Sequence, residues 1–91
     1  MSMTNHAIIL STRGDRMVGK IIRYMRTSSG ISQAELAGKI GIAQTTLSGY
    51  ETDYSNPNYE TVERIARICD YEIVFIDKNS GERITADKLL R

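Results

Sequence analysis

Gln33-Ala34-Glu35-Leu36-Ala37-Gly38-Lys39-Ile40-Gly41-Ile42-Ala43-Gln44-Thr45-Thr46-Leu47-Ser48-Gly49-Tyr50-Glu51 sets two short helical patterns on either side of Gly41. Ser32 stands just before it, three residues ahead of Glu35. A Ser hydroxyl can accept the amide of the residue three places on, and that residue's carboxylate can reach back, so the spacing is a capping box. It predicts a short helix whose apolar face is Leu36, Ala37 and Ile40. Gly41 ends this helix, because glycine takes a positive φ at little cost. Gly41-Ile42-Ala43 is then a three-residue turn, and a second helix follows over residues 44–52 with Leu47 and Tyr50 inward. Ala43 stands where a capping Ser or Thr is usual, so this second start is weaker.

The two helices constrain one another. Ala37 must be small where they cross, Gly41 must permit the turn, and Leu47 must plug the second helix into the core. With Leu47 and Tyr50 buried, Gln44, Thr45, Ser48 and Thr52 turn outward. None carries a bulky apolar or acidic side chain, so the face can enter a major groove without repelling phosphates.

Outward from this pair, Asp15 can cap an earlier helix in which Val18, Ile21, Ile22 and Met25 recur at helical spacing. Arg16, Lys20, Arg23 and Arg26 give it a basic outer face, and Ser28-Ser29-Gly30 ends it. Residues 52–57 form a polar loop with the only proline, Pro57. Asn58 can cap a fourth helix with apolar positions Tyr59, Val62, Ile65, Ala66 and Cys69.

After Asp70 the period changes to that of a strand over residues 72–77, rich in β-branched and aromatic residues. Lys78-Asn79-Ser80-Gly81 is turn chemistry and residues 82–85 can return as a second strand. Residues 86–91 form a short tail with room for one helical turn. Residues 1–14 read as an arm, loose or adding one short strand around the apolar run Ala7-Ile8-Ile9-Leu10. The expected division is therefore an arm over 1–14, a helical domain over 15–70 and a β extension over 71–91.

At this point the chain resembles the Cro/CI-type (XRE-like) helix-turn-helix regulators of phages and bacteria. Ser32-Gln33-Ala34-Glu35-Leu36-Ala37, Gly41-Ile42, Thr46-Leu47, Glu51 and Pro57 carry the resemblance, which covers roughly residues 18–71. It implies a mainly α, lambda-repressor-like domain that binds operator DNA as a dimer. By position, Gln44, Thr45 and Thr46 resemble the base-edge readers, with Ser48 and Gly49 farther along the face. Gln33, beside Ser32, looks like a phosphate-binding residue able to approach a base. Arg26 and Glu51 match an Arg–Glu pair that fixes the first helix against the recognition helix; the alternative for Arg26 is a free phosphate contact. The chemistry agrees, since a Gln amide can pair with adenine N6 and N7 and a Thr methyl can sit against that of thymine.

The loop departs from the family, carrying an acid and no Lys or Arg. Its phosphate contacts would come from Tyr54, Ser55, Asn56 or backbone amides, which predicts a shallow salt dependence. The formal charge of +1 tells the same story in two halves. Residues 1–50 hold six basic and two acidic side chains for a net of +4, and residues 51–91 net −3. The asymmetry suggests a working face and a solubilising end.

Ile73 and Phe75 point to one side of the strand, Val74 and Ile76 to the other, so both faces need cover. One side can lie on the fourth helix. The other side and the strand edge are most economically covered by the same strand of a second copy, as in some antitoxins that carry this DNA-binding domain. An intrachain hairpin is the simpler alternative, and the two are compatible.

These features lead to a dimeric, sequence-specific double-stranded DNA-binding regulator, most simply a repressor at an approximately palindromic operator. Alternatives are an antitoxin that also binds a toxin, and a protein-interaction module that kept only the fold. Enzyme, metal and cofactor chemistry are not expected: one Cys and one His among 91 residues build neither a metal site nor a nucleophile pair, and no glycine-rich phosphate loop is present. Cys69 reads as a core residue. No long apolar run offers a membrane span, so a cytoplasmic protein is expected.

Overall fold

The computed structural model describes residues 17–89. The expected arm, Asp15 and the cations Arg13 and Arg16 lie outside them. The described elements run α1 (Val18–Ser28), α2 (Gln33–Ile40), α3 (Gln44–Glu51), α4 (Tyr59–Ile68), β1 (Phe75–Ile76), β2 (Arg83–Ile84) and α5 (Ala86–Leu89). This is the mainly helical class expected, closed by a small antiparallel hairpin.

Each helix of the bundle stops in the same way. Gly30 and Gly41 take φ of +75° and +77°, and the residue after each, Ile31 and Ile42, donates its amide to the carbonyl five residues back, that of Arg26 and Ala37. α3 and α4 make the same closure with aspartates: Asp53 and Asp70 sit at φ +62° and +66°, and the Tyr54 and Tyr71 amides reach the Gly49 and Ala66 carbonyls. Asp tolerates this left-handed conformation better than most residues with a side chain. All four stops are followed by a large apolar or aromatic residue.

The helix starts differ. Ser32 accepts the Glu35 amide at 3.0 Å and Asn58 accepts the Thr61 amide at 2.9 Å, both as expected. The reverse arm of the capping box, from the Ser32 amide to the Glu35 carboxylate, is not made. α3 starts at Ala43 without a side-chain cap. α1 has Met17 at its cap position, without a side-chain bond. Its Gly19 amide is instead satisfied from across the fold, by the Asp53 carboxylate at 3.2 Å.

The core draws on all four helices: Ile22 and Met25 from α1, Leu36, Ala37 and Ile40 from α2, Leu47 from α3, and Ile65, Ala66 and Cys69 at the end of α4. Ala37 is buried at the crossing, as the sequence requires. Burial pushes the Cys69 thiol pKa up, against the Ser29 hydrogen bond, which suits an unreactive core residue. Ile21 and Tyr59, though at helical spacing with the core, are exposed. Polar ties join the helix ends: the Arg64 guanidinium donates to the Ile40 carbonyl, and the Ser29 hydroxyl to that of Cys69.

The strand expected over residues 72–77 pairs over only two. Phe75 lies opposite Ile84 and Ile76 opposite Arg83 within one chain. Toward the turn, the Asp77 amide donates to the Glu82 carbonyl in the same register and the Gly81 amide to the Asp77 carbonyl. Upstream, Ile73 packs against the helical core rather than joining a ladder.

Candidate nucleic-acid interface

α3 is held from behind by Leu47, which is fully buried, and by Tyr50, which packs against the core. Its other side carries Gln44 and Thr45, both exposed, with Thr46 and Ser48 half-buried beside them. None of these four side chains makes a hydrogen bond among the described residues, so their donors and acceptors stay available. Thr52 behaves otherwise: its hydroxyl turns back onto the Ser48 carbonyl at 3.0 Å. Gly49 is not on an open face either. A Cβ there would stand 3.2 Å from the Ser55 hydroxyl and 3.7 Å from the Tyr54 ring.

The far end of α3 is fixed by a buried carboxylate. Glu51 accepts from Arg26 Nε at 2.6 Å and Nη2 at 3.0 Å, a bidentate pair, and from Gln33 Nε2 at 3.0 Å. The third Arg26 nitrogen, Nη1, donates to the Ile31 carbonyl at 3.0 Å. Thus α1, the loop before α2, the start of α2 and the end of α3 meet in one network. Burial opposes the charge on Glu51, but the bonds from Arg26 and Gln33, with the charges of Arg26 and Arg23, outweigh it and lower its pKa. The same hydrogen bond raises that of Arg26. Charge-assisted bonds that fill the available donors and acceptors keep such a pair ionised inside the protein.

The network bears on the expected roles of Arg26 and Gln33. Arg26 has all three nitrogens engaged within the protein, which favours the pairing alternative over a free contact. Gln33 is half-buried with its amide nitrogen on Glu51. Its neighbour Ser32 is exposed, its hydroxyl accepting the Glu35 amide.

In the loop, Tyr54 is 89% exposed, Asn56 is exposed and Ser55 is half-buried. The Tyr54 and Ser55 amides both reach the Gly49 carbonyl, at 2.9 and 3.2 Å, so these two are not the spare backbone donors the sequence left open. Exposed cations among the described residues include Arg23, whose charge acts on Glu51, Lys39 in α2, and Arg64, which donates to the Ile40 carbonyl.

Two residues that position this face escaped the sequence reading. A Cβ on Gly19 would lie 2.5 Å from the Tyr50 carbonyl oxygen and 2.8 Å from that of Glu51, so α1 reaches the end of α3 only because residue 19 lacks a side chain. Asp53, counted from the sequence merely as an acid, accepts the Gly19 amide at the same approach. The signal for Gly19 was a glycine inside an otherwise regular helical pattern.

Two short helices joined by a left-handed glycine, the second presenting an uncommitted polar face, define the helix-turn-helix class. The helix-turn-helix family model matches residues 22–76, more than half of the chain, and the chain belongs to that family. It is similar to antitoxin HigA1 of Mycobacterium tuberculosis, 38% identical over 55 residues, which are 60% of this chain and 36% of the relative. It is 33% identical over 58 residues to the HTH-type transcriptional regulator SinR of Bacillus subtilis, covering 63% of this chain and 52% of that protein. To the transcriptional repressor RstR of the cryptic phage CTXphi in Vibrio cholerae it is 31% identical over 68 residues, 75% of this chain and 61% of the relative. The matched region spans from about a third to three fifths of these relatives' lengths. No solved structure matches the chain. No helix among the described residues is long and apolar enough to cross a membrane.

Proposed function

We propose that the chain binds double-stranded DNA sequence-specifically as a transcriptional regulator, most simply a repressor, and has no catalytic role. The observation that carries this reading is the division of labour on α3. Its buried end is clamped by Arg26, Glu51 and Gln33 while Gln44, Thr45, Thr46 and Ser48 at its start and middle keep their hydrogen-bonding groups free. Those four are the proposed base readers. Ser32, Tyr54, Ser55, Asn56 and the amide end of α2 are the proposed backbone contacts, with Arg26 and Gln33 positioning residues.

The active form is a homodimer. β1 uses one edge on β2; its other edge, with Val74 and Ile76, is proposed to pair with a second copy, alongside Ile73 and Phe75 at the hairpin base. A two-fold axis would set two recognition helices about 34 Å apart on an approximately palindromic operator. Selection of bound duplexes from a random library, followed by sequencing, tests this reading. An inverted repeat is expected, and recovery of no consensus would overturn it. Gln44→Ala is expected to lose about 1 to 3 kcal/mol of discrimination at one or two base pairs at fixed salt, without loss of folding.

A second reading is favoured by the antitoxin relative and by the exposed apolar hairpin: the same domain also neutralises a toxin. Co-purification with the product of an adjacent gene would support it.

A further inference from the structure

An apolar groove of about 860 Å³ lies away from α3, between α1, α4 and the chain around Tyr71–Phe75. Six large side chains in its wall, Met17, Ile21, Tyr24, Tyr59, Tyr71 and Phe75, are each between 37% and 65% exposed. They are two thirds of the exposed large apolar residues among those described, gathered in one place. The rings form two pairs, Tyr24 edge-on to Tyr71 and Tyr59 tilted against Phe75, each with centroids 6.5 Å apart. A patch this concentrated on a small domain marks a binding surface.

We infer that the occupant is this chain's own N-terminal segment, through Ala7-Ile8-Ile9-Leu10. Three observations select it. Met17, the first described residue, is itself in the groove wall, so the N-terminal segment joins the fold at the groove. Residues 1–16 contain one apolar run, Ala7 to Leu10, flanked by Thr4, Asn5 and His6 on one side and Ser11 to Arg16 on the other. The six residues between Leu10 and Met17 reach about 20 Å when extended, enough to turn at Gly14 and lay the run along the wall. A tether that short supplies an effective concentration in the millimolar range, so a four-residue apolar contact is enough to hold. Val74 and Ile76 do not line the groove. The segment therefore covers the part of Ile73 and Phe75 that faces the groove, while the outer edge of β1 and the remainder of these two side chains are left to a second copy.

The test compares the full chain with a version starting at Asp15 and with a full-length Ile8→Ser, Ile9→Ser double variant, using an apolar dye and isotope-filtered NMR on mixed labelled and unlabelled protein. In the full chain, Ile8 and Ile9 methyls are expected to contact the Tyr24 and Tyr59 rings within one molecule. Dye fluorescence is expected to rise several-fold in both altered proteins at unchanged helix content, and to fall when a peptide of residues 1–14 is added to the truncated chain. Unchanged dye binding in both variants would overturn the inference. So would ring contacts found only between differently labelled molecules, which would assign the groove to a second copy. If the truncated chain does not fold, the double serine variant decides alone.

Discussion

The helix-turn-helix end and the hairpin end use opposite materials. At the first, a carboxylate is taken out of water and given three hydrogen bonds, while the side chains left outside are small and polar. At the second, the polar bonds are at the surface, as in the exposed Lys88–Glu82 pair, and Phe75 and Ile76 stand more than half exposed. A buried ion pair adds little net stability compared with apolar packing, but it has direction and fixes how helices meet. Exposed apolar side chains have no direction, and are stabilised only by whatever covers them. The first arrangement suits a surface that must keep its shape when empty; the second suits one completed by another chain segment.

The comparison breaks most directly at Glu51. Arg26→Ala leaves a buried carboxylate with only Gln33 beside it, and is expected to lower unfolding free energy by about 3 kcal/mol in urea. Replacing both partners with apolar residues of similar size should recover much of that loss. A double variant as unstable as Arg26→Ala would mean that the pair matters for net stability as well as for geometry.

Gly19 gives the next largest effect, and its sign is informative. An Ala there would push its Cβ against the Tyr50 and Glu51 carbonyls, so a loss of about 2 kcal/mol is expected despite the better helix propensity. At Gly38, in α2, a Cβ meets nothing within 4 Å, and the same change should stabilise by up to about 1 kcal/mol. Thermal melts of the two variants should therefore move in opposite directions.

Acid sharpens the contrast further. The folded pKa of Glu51 lies below its ordinary value, so its contribution is fully present above the unfolded pKa of about 4.3 and is lost as pH falls through the folded value. Glu51→Gln is expected to be less stable near neutrality and to show a shallower loss below about pH 4. Parallel stability curves for the two proteins would show that Glu51 does not titrate with folding.

Much of this was legible because it is local. Ser32, Asn58, Gly30 and Gly41 act on their own neighbours through spacings that a sequence displays, and the apolar periods of α2 and α4 placed Leu36, Ala37, Ile65 and Ala66 in the core. What escaped depends on approach between distant segments. Asp53 satisfies an amide 34 residues earlier, and Gly19 is needed because of carbonyls some thirty residues away. Asp53 and Asp70 as left-handed helix ends were not legible because Asp adopts this conformation far less often than Gly. The Arg26–Glu51 pair became legible only through the family resemblance, since nothing in their separate surroundings links them. β1 was overestimated because β-branched content reports a preference for extended backbone, not the length of a partner.

The hairpin should respond least in stability and most in assembly. Ile76 is 56% exposed and supports no core contact, so Ile76→Ser is expected to change the unfolding free energy of the monomer by less than about 0.5 kcal/mol. Under the proposed dimer the same change removes apolar cover from the outer face of β1, in both copies at once. Sedimentation at micromolar concentration should then show a shift from dimer toward monomer, with operator affinity falling in step while the Gln44-dependent base preference is kept. A variant that stays dimeric with full affinity would move the dimer contact away from β1, and one that unfolds would show that the hairpin belongs to the core after all.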